Sequence, residues 1–466
     1  MISLLEQKYI KYEKYIRYYF LYLLIIHSAF YFIFILYSNK IEDFSPYAPN
    51  IENINIGNGS YAKIGIVSDF QLSQELEKIS PLFKYYANNV YVTLNYFKKH
   101  DIDLIIIAGD ITNNGRLLNL IYFKKIFYSV FNENSKPRVI SLMGNHDYFD
   151  LNFTNIENQK KFYKVINSYP NSHYIINGYH FIFWSQDNYL INERGITNYT
   201  WIKNNLDQAR QSLKKKGDPI FVITHIPPKL TVYGSETIWG HEGIYNFLKD
   251  YHEVICISGH SHYSLRNTRS IWQKDFTVVN TQSISYVDLD NYFINAINVR
   301  RESARDCESM GLIAHLTNKN IIFDRVRFLT EEIMEEKWKI NFPINIKEFE
   351  YTLEKLNKKE VPVFQNKTIK IEEKMENNFL NYYIVFNAAA HSEYVYKYKI
   401  VLKSVMNKGI KKVLYYYSDY YKKKKERKKI MKFKLPNINP GMYNIEIYAI
   451  DSFDNISQPL KSEISL

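Results

Sequence analysis

Short apolar segments rich in β-branched residues recur along the middle of this chain, and longer stretches with helical periodicity separate them. The apolar segments are Ile64–Val67, Leu104–Ala108, Arg138–Met143, Ile220–Thr224 and Val254–Ser258. The helical stretches are Val90–His100, Leu117–Asn132, Gln159–Ile166 and Trp201–Lys215. Strands that alternate with helices in this way predict a layered α/β sandwich.

The pattern turns to strands in the rest of the chain. A hairpin is predicted at Ser172–Ile176 and Tyr179–Trp184, around Asn177-Gly178. The later predicted strands that complete the sheets are Phe276–Asn280, Ser283–Val287, Gly311–Leu316 and Asn320–Phe328. The charged segment from Trp338 to Glu360 has a helical pattern, which indicates a helical linker between two domains.

Beyond Val361 the segments are short and β-type, which favours a small all-β sandwich. Its segment Pro440–Asp451 alternates with period two over much of its length. Tyr443 resembles the tyrosine corner of immunoglobulin- and fibronectin-type domains.

The N-terminal region predicts a membrane anchor. Residues Tyr18 to Tyr37 contain no charged residue, and a basic flank precedes them. This length matches the ~20 apolar residues that cross a hydrocarbon core. A cleaved signal peptide is the alternative, but its apolar region is usually ~7–15 residues and ends in small residues, which Leu36–Asn39 does not offer. We therefore expect a retained single-pass signal anchor, with the N-terminus cytoplasmic and the remainder extracytoplasmic.

These patterns divide the chain into six predicted parts. They are a cytoplasmic N-terminus at 1–17, a transmembrane anchor at 18–38, a linker at 39–60, an α/β domain at 61–330, a helical linker at 331–360 and a β-sandwich at 361–466.

Composition and charge add little to this picture. A hydrophobic share of 46% over 466 residues excludes wholesale disorder. Half of the net charge of +12 lies in Lys422–Lys429, which we interpret as a solvated loop, with a contact to a membrane surface or anionic polymer as the alternative. This main basic run lies in the predicted C-terminal β-sandwich and not in the α/β domain, so we expect no nucleic-acid partner. Two cysteines, Cys256 and Cys307, form no disulfide framework and leave the redox compartment open.

Polar clusters follow each of the five central strands, and they carry the candidate chemistry. Because successive parallel strands end at one rim of a sheet, we expect the clusters to converge there. The side chains that could bind metal are Asp69, Gln71, Asp110, Asn145, His225, His260 and His262. All offer oxygen or nitrogen and none offers a thiolate, which suits hard or borderline divalent cations.

In this order the clusters resemble the motifs of the calcineurin-like metallophosphoesterases. That family's pattern is Asp-x-His, Gly-Asp, Gly-Asn-His-Asp, a His after a strand, and Gly-His-x-His. The chain matches at Asp69, Gly109-Asp110, Gly144–Asp147, His225 and Gly259–His262. The resemblance covers about residues 63–330. It implies a four-layer αββα sandwich, to which the predicted C-terminal all-β sandwich and N-terminal transmembrane helix are added.

The resemblance also implies a role for each matching residue. Two divalent ions (Mn²⁺, Fe²⁺/³⁺ or Zn²⁺) would activate a water and clamp the phosphate. Asp110 would bridge the ions, Asp69 and His262 would hold the first, and Asn145, His225 and His260 would hold the second. His146 would stand near the phosphate as the catalytic imidazole, with Asp147 orienting its ring.

One position departs from the family pattern. Gln71 stands where the first motif has a histidine. An amide oxygen coordinates more weakly than an imidazole, so we expect the first site either to load less tightly or to select a harder ion such as Mn²⁺.

These inferences favour a metal-dependent hydrolase of phosphate monoesters or diesters. The alternative is a catalytically degenerate binding or scaffold protein at the membrane, with Gln71 as the first sign of decay. The sequence leaves the ester, the oligomeric state and the role of the β-sandwich open.

Overall fold

The computed structural model of this protein describes most of the chain beyond the N-terminal segment. The described residues are 21, 22, 28, 44–132, 137–192, 194–288, 303–304, 309–376, 379–406, 411–422, 424–435 and 438–466. The chain divides into two compact units, Met1–Pro46 and Tyr47–Leu466, and the described strands all lie in the second. The predicted anchor at 18–38 falls almost wholly outside the described residues. Among the helices that are described, none has the length and apolar character needed to cross a bilayer.

Strands up to residue 341 build the first part of the fold. In chain order they are β1 Glu52–Ile54, β2 Tyr61–Val67, β3 Leu104–Ala108, β4 Arg138–Leu142, β5 Ser172–Ile176, β6 Tyr179–Trp184, β7 Ile220–Thr224, β8 Val254–Ser258, β9 Ile271–Gln273, β10 Thr277–Asn280, β11 Val287–Asp288, β12 Ser303–Ala304, β13 Met310–Thr317, β14 Asn320–Arg327, β15 Glu332–Ile333 and β16 Trp338–Asn341. The α-helices are α1 Gln74–Glu77, α2 Pro81–Lys99, α3 Leu117–Val130, α4 Asn155–Ile166, α5 Tyr199–Gln211, α6 Glu242–Leu248 and α7 Leu353–Leu356.

Most of these strands pair into two mixed sheets. Within the described ranges one sheet has the order β1-β5-β6-β7-β8-β10-β9, and the other has the order β15-β14-β13-β2-β3-β4, with β16 paired to β14. Strands β2, β3 and β4 are parallel, as are β6, β7, β8 and β10. Strands β3, β7 and β8 are buried along their whole length, which explains why they are continuous apolar runs.

Three buried clusters show how the layers stack. Inward-facing residues of both sheets, such as Ile106 and Phe221, form the core between them. The other face of the β2–β4 sheet packs on helices α2, α3 and α4. The other face of the β6–β8 sheet packs on α5 and α6. The order of layers is therefore helix, sheet, sheet, helix.

Two predicted elements differ in the structure. The predicted strand Ser283–Val287 is mostly a loop, because its backbone bonds to the loop after β2: Ile284 N donates to Ser68 O at 3.1 Å. The predicted helical stretch from Trp338 begins instead as β16, which extends the sheet by pairing with β14, and α7 covers only Leu353–Leu356.

The C-terminal region is all-β, as predicted. Its strands are β17 Ile369–Glu376, β18 Phe379–Asn387, β19 Lys397–Ser404, β20 Lys411–Tyr417, β21 Ile430–Leu435, β22 Met442–Ile450 and β23 Leu460–Ser465. Over the described part of this region, the sheets β17-β18-β21 and β20-β19-β22-β23 enclose one apolar core. The hydroxyl of Tyr443 donates to the carbonyl of Asn439 at 2.9 Å.

Candidate metal centre

The predicted donors sit on tight turns directly after the parallel strands. Five of them adopt the left-handed backbone region that non-glycine residues seldom occupy. They are Asp69 (φ 56°), Gln71 (46°), Asp110 (55°), His260 (67°) and His262 (56°). Neighbouring turns brace each other, since Asp69 N donates to Gly109 O at 3.0 Å and Gln71 N donates to Asp110 O at 3.1 Å. Such clustering of unfavourable backbone geometry is typical of a functional site.

Four side chains from different turns converge on Nε2 of His225. The distances to this nitrogen are 3.1 Å from Asn145 Oδ1, 3.2 Å from His260 Nδ1, 3.3 Å from Asp110 Oδ2 and 3.9 Å from Asp69 Oδ1. One imidazole nitrogen holds at most one proton, which cannot satisfy all of these groups. A cation at this point would satisfy them together.

The tautomer of His225 suits this role. Its Nδ1 lies 2.8 Å from the carbonyl oxygen of Ala108, which can only accept a hydrogen bond. The proton of the neutral ring is therefore on Nδ1, and the lone pair of Nε2 faces the converging side chains. A backbone carbonyl that fixes the second nitrogen is the usual arrangement for a metal-binding histidine.

Asp69 and Gln71, from the first sequence motif, lie beside His262 in a second part of the centre. Asp69 Oδ1 lies 3.0 Å from Nε2 of His262, and Nε2 of Gln71 is placed 3.3 Å from the same nitrogen. Ser68 Oγ and the backbone N–H of His260 both donate to Asp69 Oδ2, which fixes the carboxylate and leaves Oδ1 to face His262. All seven predicted donors are thus brought to one rim.

The centre is buried and carries an excess of negative charge. Asp69 and His225 are 0% exposed and Asp110 is 1% exposed. Burial alone would raise the pKa of each carboxyl group, but the neighbouring His262 and His225 lower that of Asp69, and His225 lowers that of Asp110. Burial disfavours charge on His225 as well, yet the two carboxylates raise the pKa of its imidazole to about 9. The site therefore attracts positive charge, and a metal ion would take the place of that proton.

Close approach of the turns requires glycine at Gly144 and Gly259. A Cβ on Gly144 would lie 2.2 Å from Asp110 Oδ1, and one on Gly259 would lie 2.4 Å from Ser68 Oγ. Lack of space for a side chain thus explains these two of the three motif glycines.

His146 stands at the edge of this centre. It is half-buried, and its backbone N–H donates to Asp110 Oδ1 at 2.9 Å. Its Nδ1 lies 2.9 Å from the carbonyl oxygen of Asn113, so this nitrogen is a donor. The carbonyl of Asn113 therefore orients the ring.

The predicted role of Asp147 is wrong in one respect. Among the described residues, no hydrogen bond joins its carboxylate to the His146 ring. Instead it accepts the N–H groups of Thr112 (2.9 Å), Gly144 (3.1 Å) and Ile111 (3.3 Å), together with the Thr112 hydroxyl (2.9 Å). Burial and the charge of Asp110 raise its pKa to about 7. Asp147 thus ties the turn after β3 to the turn after β4.

This role predicts a stability defect for Asp147→Ala. The substitution leaves four buried donors without an acceptor, so it is expected to lower the free energy of unfolding by about 2–4 kcal/mol. Urea unfolding followed by circular dichroism measures it, with Asp147→Asn as the milder control because it keeps one acceptor oxygen. Unchanged stability combined with a selective loss of activity would restore the orienting role.

Two residues beside the centre were not predicted. The indole of Trp239 lies 5.2 Å from the His260 ring, centre to centre, and the Tyr286 ring lies 4.3 Å from that of His262. Neither belongs to a motif, so the sequence carried no signal for them beyond their proximity to motif residues.

Comparison with known proteins agrees with this geometry. The calcineurin-like phosphoesterase family matches residues 62–264. No curated protein matches the chain. Among solved structures, a dimetal phosphatase from Danio rerio shares 11% identity, covering 60% of this chain and 99% of its own at a TM-score of 0.42. A purple acid phosphatase from yellow lupin, Lupinus luteus, shares 12% identity, covering 64% of this chain and 55% of its own at a TM-score of 0.39.

The chain therefore contains a calcineurin-like phosphoesterase domain at residues 62–264. Family and donor set together support a metal-dependent phosphoester hydrolase at that coarse level. Asp69, Asp110 and His225 form a buried group whose ligand atoms all lie within 4.8 Å of one another, as a metal site needs. At the identities and TM-scores given above, the solved structures carry no inference about substrate.

Proposed function

We propose that this protein hydrolyses phosphate monoesters or diesters with two divalent cations held at the candidate metal centre. Asp69, Gln71 and His262 would hold one ion, Asn145, His225 and His260 the other, and Asp110 would serve both. The observation that carries the proposal is the convergence of four donor side chains on Nε2 of His225. The donor chemistry suits Mn²⁺, iron or Zn²⁺.

When bound, such a pair of ions lowers the pKa of a water and neutralises phosphate oxygens. The protein's own residues do the rest. Asp69 and Asp110 supply fixed negative charge from rigid turns, which sets where the cations lie. In its cationic form His146 would donate one proton from Nδ1 to Asn113 O and carry the second on Nε2, where it could stabilise the developing charge or protonate the leaving alkoxide.

Assays on p-nitrophenyl phosphate and its bis ester test this proposal. After removal of metal by a chelator, the full chain is expected to be inactive, and added Mn²⁺ is expected to restore turnover on at least one ester. Background rates with Mn²⁺, Zn²⁺ and iron alike would instead support the scaffold alternative.

Gln71→His is expected to tighten metal binding at the first site by roughly tenfold. Imidazole is the stronger ligand, and histidine tolerates the left-handed backbone at φ 46° better than glutamine does. Calorimetric titration of the metal-free chain with Mn²⁺ and Zn²⁺ measures the change. Equal or weaker binding by the variant would show that Gln71 does not face the metal.

We also propose that residues 18–38 form a retained single-pass anchor, with the catalytic domain extracytoplasmic. The uncharged run Tyr18–Tyr37 behind a basic flank supports this. Protease protection of the catalytic domain in sealed vesicles tests this orientation.

For residues 361–466 we propose an immunoglobulin- or fibronectin-like module. The two packed antiparallel sheets and the Tyr443 hydrogen bond support it.

A further inference from the structure

Buried tyrosines fill the contact between the C-terminal β-sandwich and the phosphoesterase domain. The cluster comprises Tyr394, Tyr396 and Tyr420 from the sandwich side and Tyr233, Tyr263 and Val287 from the other. The rings of Tyr233 and Tyr396 pack edge to face with centroids 5.2 Å apart. Tyr396 is only 1% exposed, so this contact is a built interface.

The three residues on the phosphoesterase side of this cluster lie in segments that border the candidate metal centre. Tyr263 follows His262 directly. Val287 follows Tyr286, whose ring packs on that of His262. Tyr233 lies in the loop 226–240, which begins directly after His225. The sandwich therefore packs behind three segments that line the centre.

Arg269 ties this loop to the sandwich a second time. Its guanidinium lies 4.8 Å from the centre of the Tyr233 ring, and its Nη2 is 3.6 Å from Glu236 Oε1. On the other side, Nη1 donates to the carbonyl of Ser452 at 3.1 Å. The Arg269 carbonyl also accepts the N–H of Tyr233 at 2.9 Å.

The position of this loop determines the position of Trp239. Two hydrogen bonds hold the segment between Tyr233 and Trp239. Thr237 N donates to Gly234 O at 3.2 Å, and Trp239 N donates to Thr237 Oγ1 at 3.1 Å. At Gly234 (φ +86°) a Cβ would lie 1.8 Å from the Tyr263 ring, so the loop cannot shift closer there. Trp239 ends this rigid segment beside His260.

Half-buried aromatic rings stand beside three histidines of the site. Phe149 lies 4.6 Å from the His146 ring, Trp239 lies 5.2 Å from His260, and Tyr286 lies 4.3 Å from His262. Each of the three rings keeps part of its surface open to solvent. A planar aromatic group of an ester could stack on such surfaces, whereas a small alkyl group would gain little.

We infer that the C-terminal β-sandwich is a positioning element of the candidate centre. Tyr396 holds Tyr233 and its loop in place, so that Trp239 presents an aromatic wall to the organic group of the ester. Aryl phosphates are then favoured over small alkyl phosphates. The substrate part of this inference rests on the proposed function, and the positioning part does not.

Hydrogen–deuterium exchange of the full chain tests the positioning part without any assay of activity. Tyr396→Leu is expected to speed exchange at the amides of residues 231–240 several-fold. Tyr398→Leu is the matched control, because Tyr398 is equally buried but packs on Phe386 and Phe433 inside the sandwich. An unchanged loop in Tyr396→Leu, or an equal change in both variants, would overturn the inference.

Kinetics of Trp239→Ala test the substrate part. The KM for p-nitrophenyl phosphate is expected to rise about three- to tenfold more than the KM for glycerol phosphate. Trp239→Phe keeps a ring and should recover most of the loss. An equal change in KM for both esters, or no change for either, would overturn the proposed role of Trp239 as an aromatic wall. If the native chain cleaves neither of these monoesters nor bis(p-nitrophenyl) phosphate with any metal, the proposed function fails, and the exchange comparison still decides the positioning claim.

Discussion

Replacing Asp110 by Asn is expected to abolish metal-dependent ester hydrolysis, with a loss of roughly 10²–10³-fold or more. Asp110 Oδ2 is one of the atoms that converge on His225 Nε2, at 3.3 Å, and its charge is one of two buried negative charges in the centre. The amide of asparagine could still accept the His146 N–H through Oδ1, so the turn after β4 keeps its support. What the variant loses is the negative charge of Asp110, which would help to hold the cations.

The control for this variant is Asp324→Asn. Asp324 is also buried, at 5% exposed, and it also bonds a histidine, with Oδ2 3.0 Å from His315 Nε2. It lies on β14, away from the candidate centre. Turnover of p-nitrophenyl phosphate with Mn²⁺ should be nearly native in Asp324→Asn and absent in Asp110→Asn. Retained turnover in Asp110→Asn would mean that Asp110 does not bind the catalytic ions.

Replacing His146 by Ala is expected to lower kcat by about 10²–10⁴-fold while the metal content stays near native. The ring is fixed by Asn113 O and does not take part in the convergence on His225. Its loss therefore removes a proton donor or charge stabiliser and leaves the donor set complete.

His252→Ala is a matched control for the His146 variant. His252 is exposed, and its Nδ1 also lies near a backbone carbonyl, that of Asp275, at 2.7 Å. This control should keep both activity and metal. Measuring the metal content together with the kinetics shows whether His146 acts on the substrate or binds metal. If His146→Ala loses both its ions and its turnover, His146 is part of the metal site.

The strands and the donor set could be predicted from sequence because each follows from a local rule. Buried parallel strands are continuous apolar runs, so Leu104–Ala108, Ile220–Thr224 and Val254–Ser258 were predicted with the bounds that the structure has. Their polar ends converge because parallel strands finish at one edge. The reason for glycine at 144 and 259 is visible only in the structure, where neither position leaves room for a Cβ.

Other features depend on partners far away in the chain, which no local pattern encodes. Ser283–Val287 looks like a strand, yet its backbone bonds the loop after β2. Trp338 looks helical in its charged surroundings, yet it pairs with β14. Asp147 follows His146 directly, but its carboxylate meets amides of the preceding turn. The contact of Trp239 with His260 similarly depends on how a loop is held by another domain.

Counting bound metal in the full chain tests the central claim most directly. Metal is removed from the chain with a chelator, Mn²⁺ is added, and unbound ions are removed. The metal that remains bound is then measured by inductively coupled plasma mass spectrometry. The convergence of Asp69, Asp110, Asn145, His225, His260 and His262 on one rim predicts two ions per chain, and fewer in Asp110→Asn. A native chain that retains no ion, or that binds as much after Asp110→Asn as before, would contradict the account.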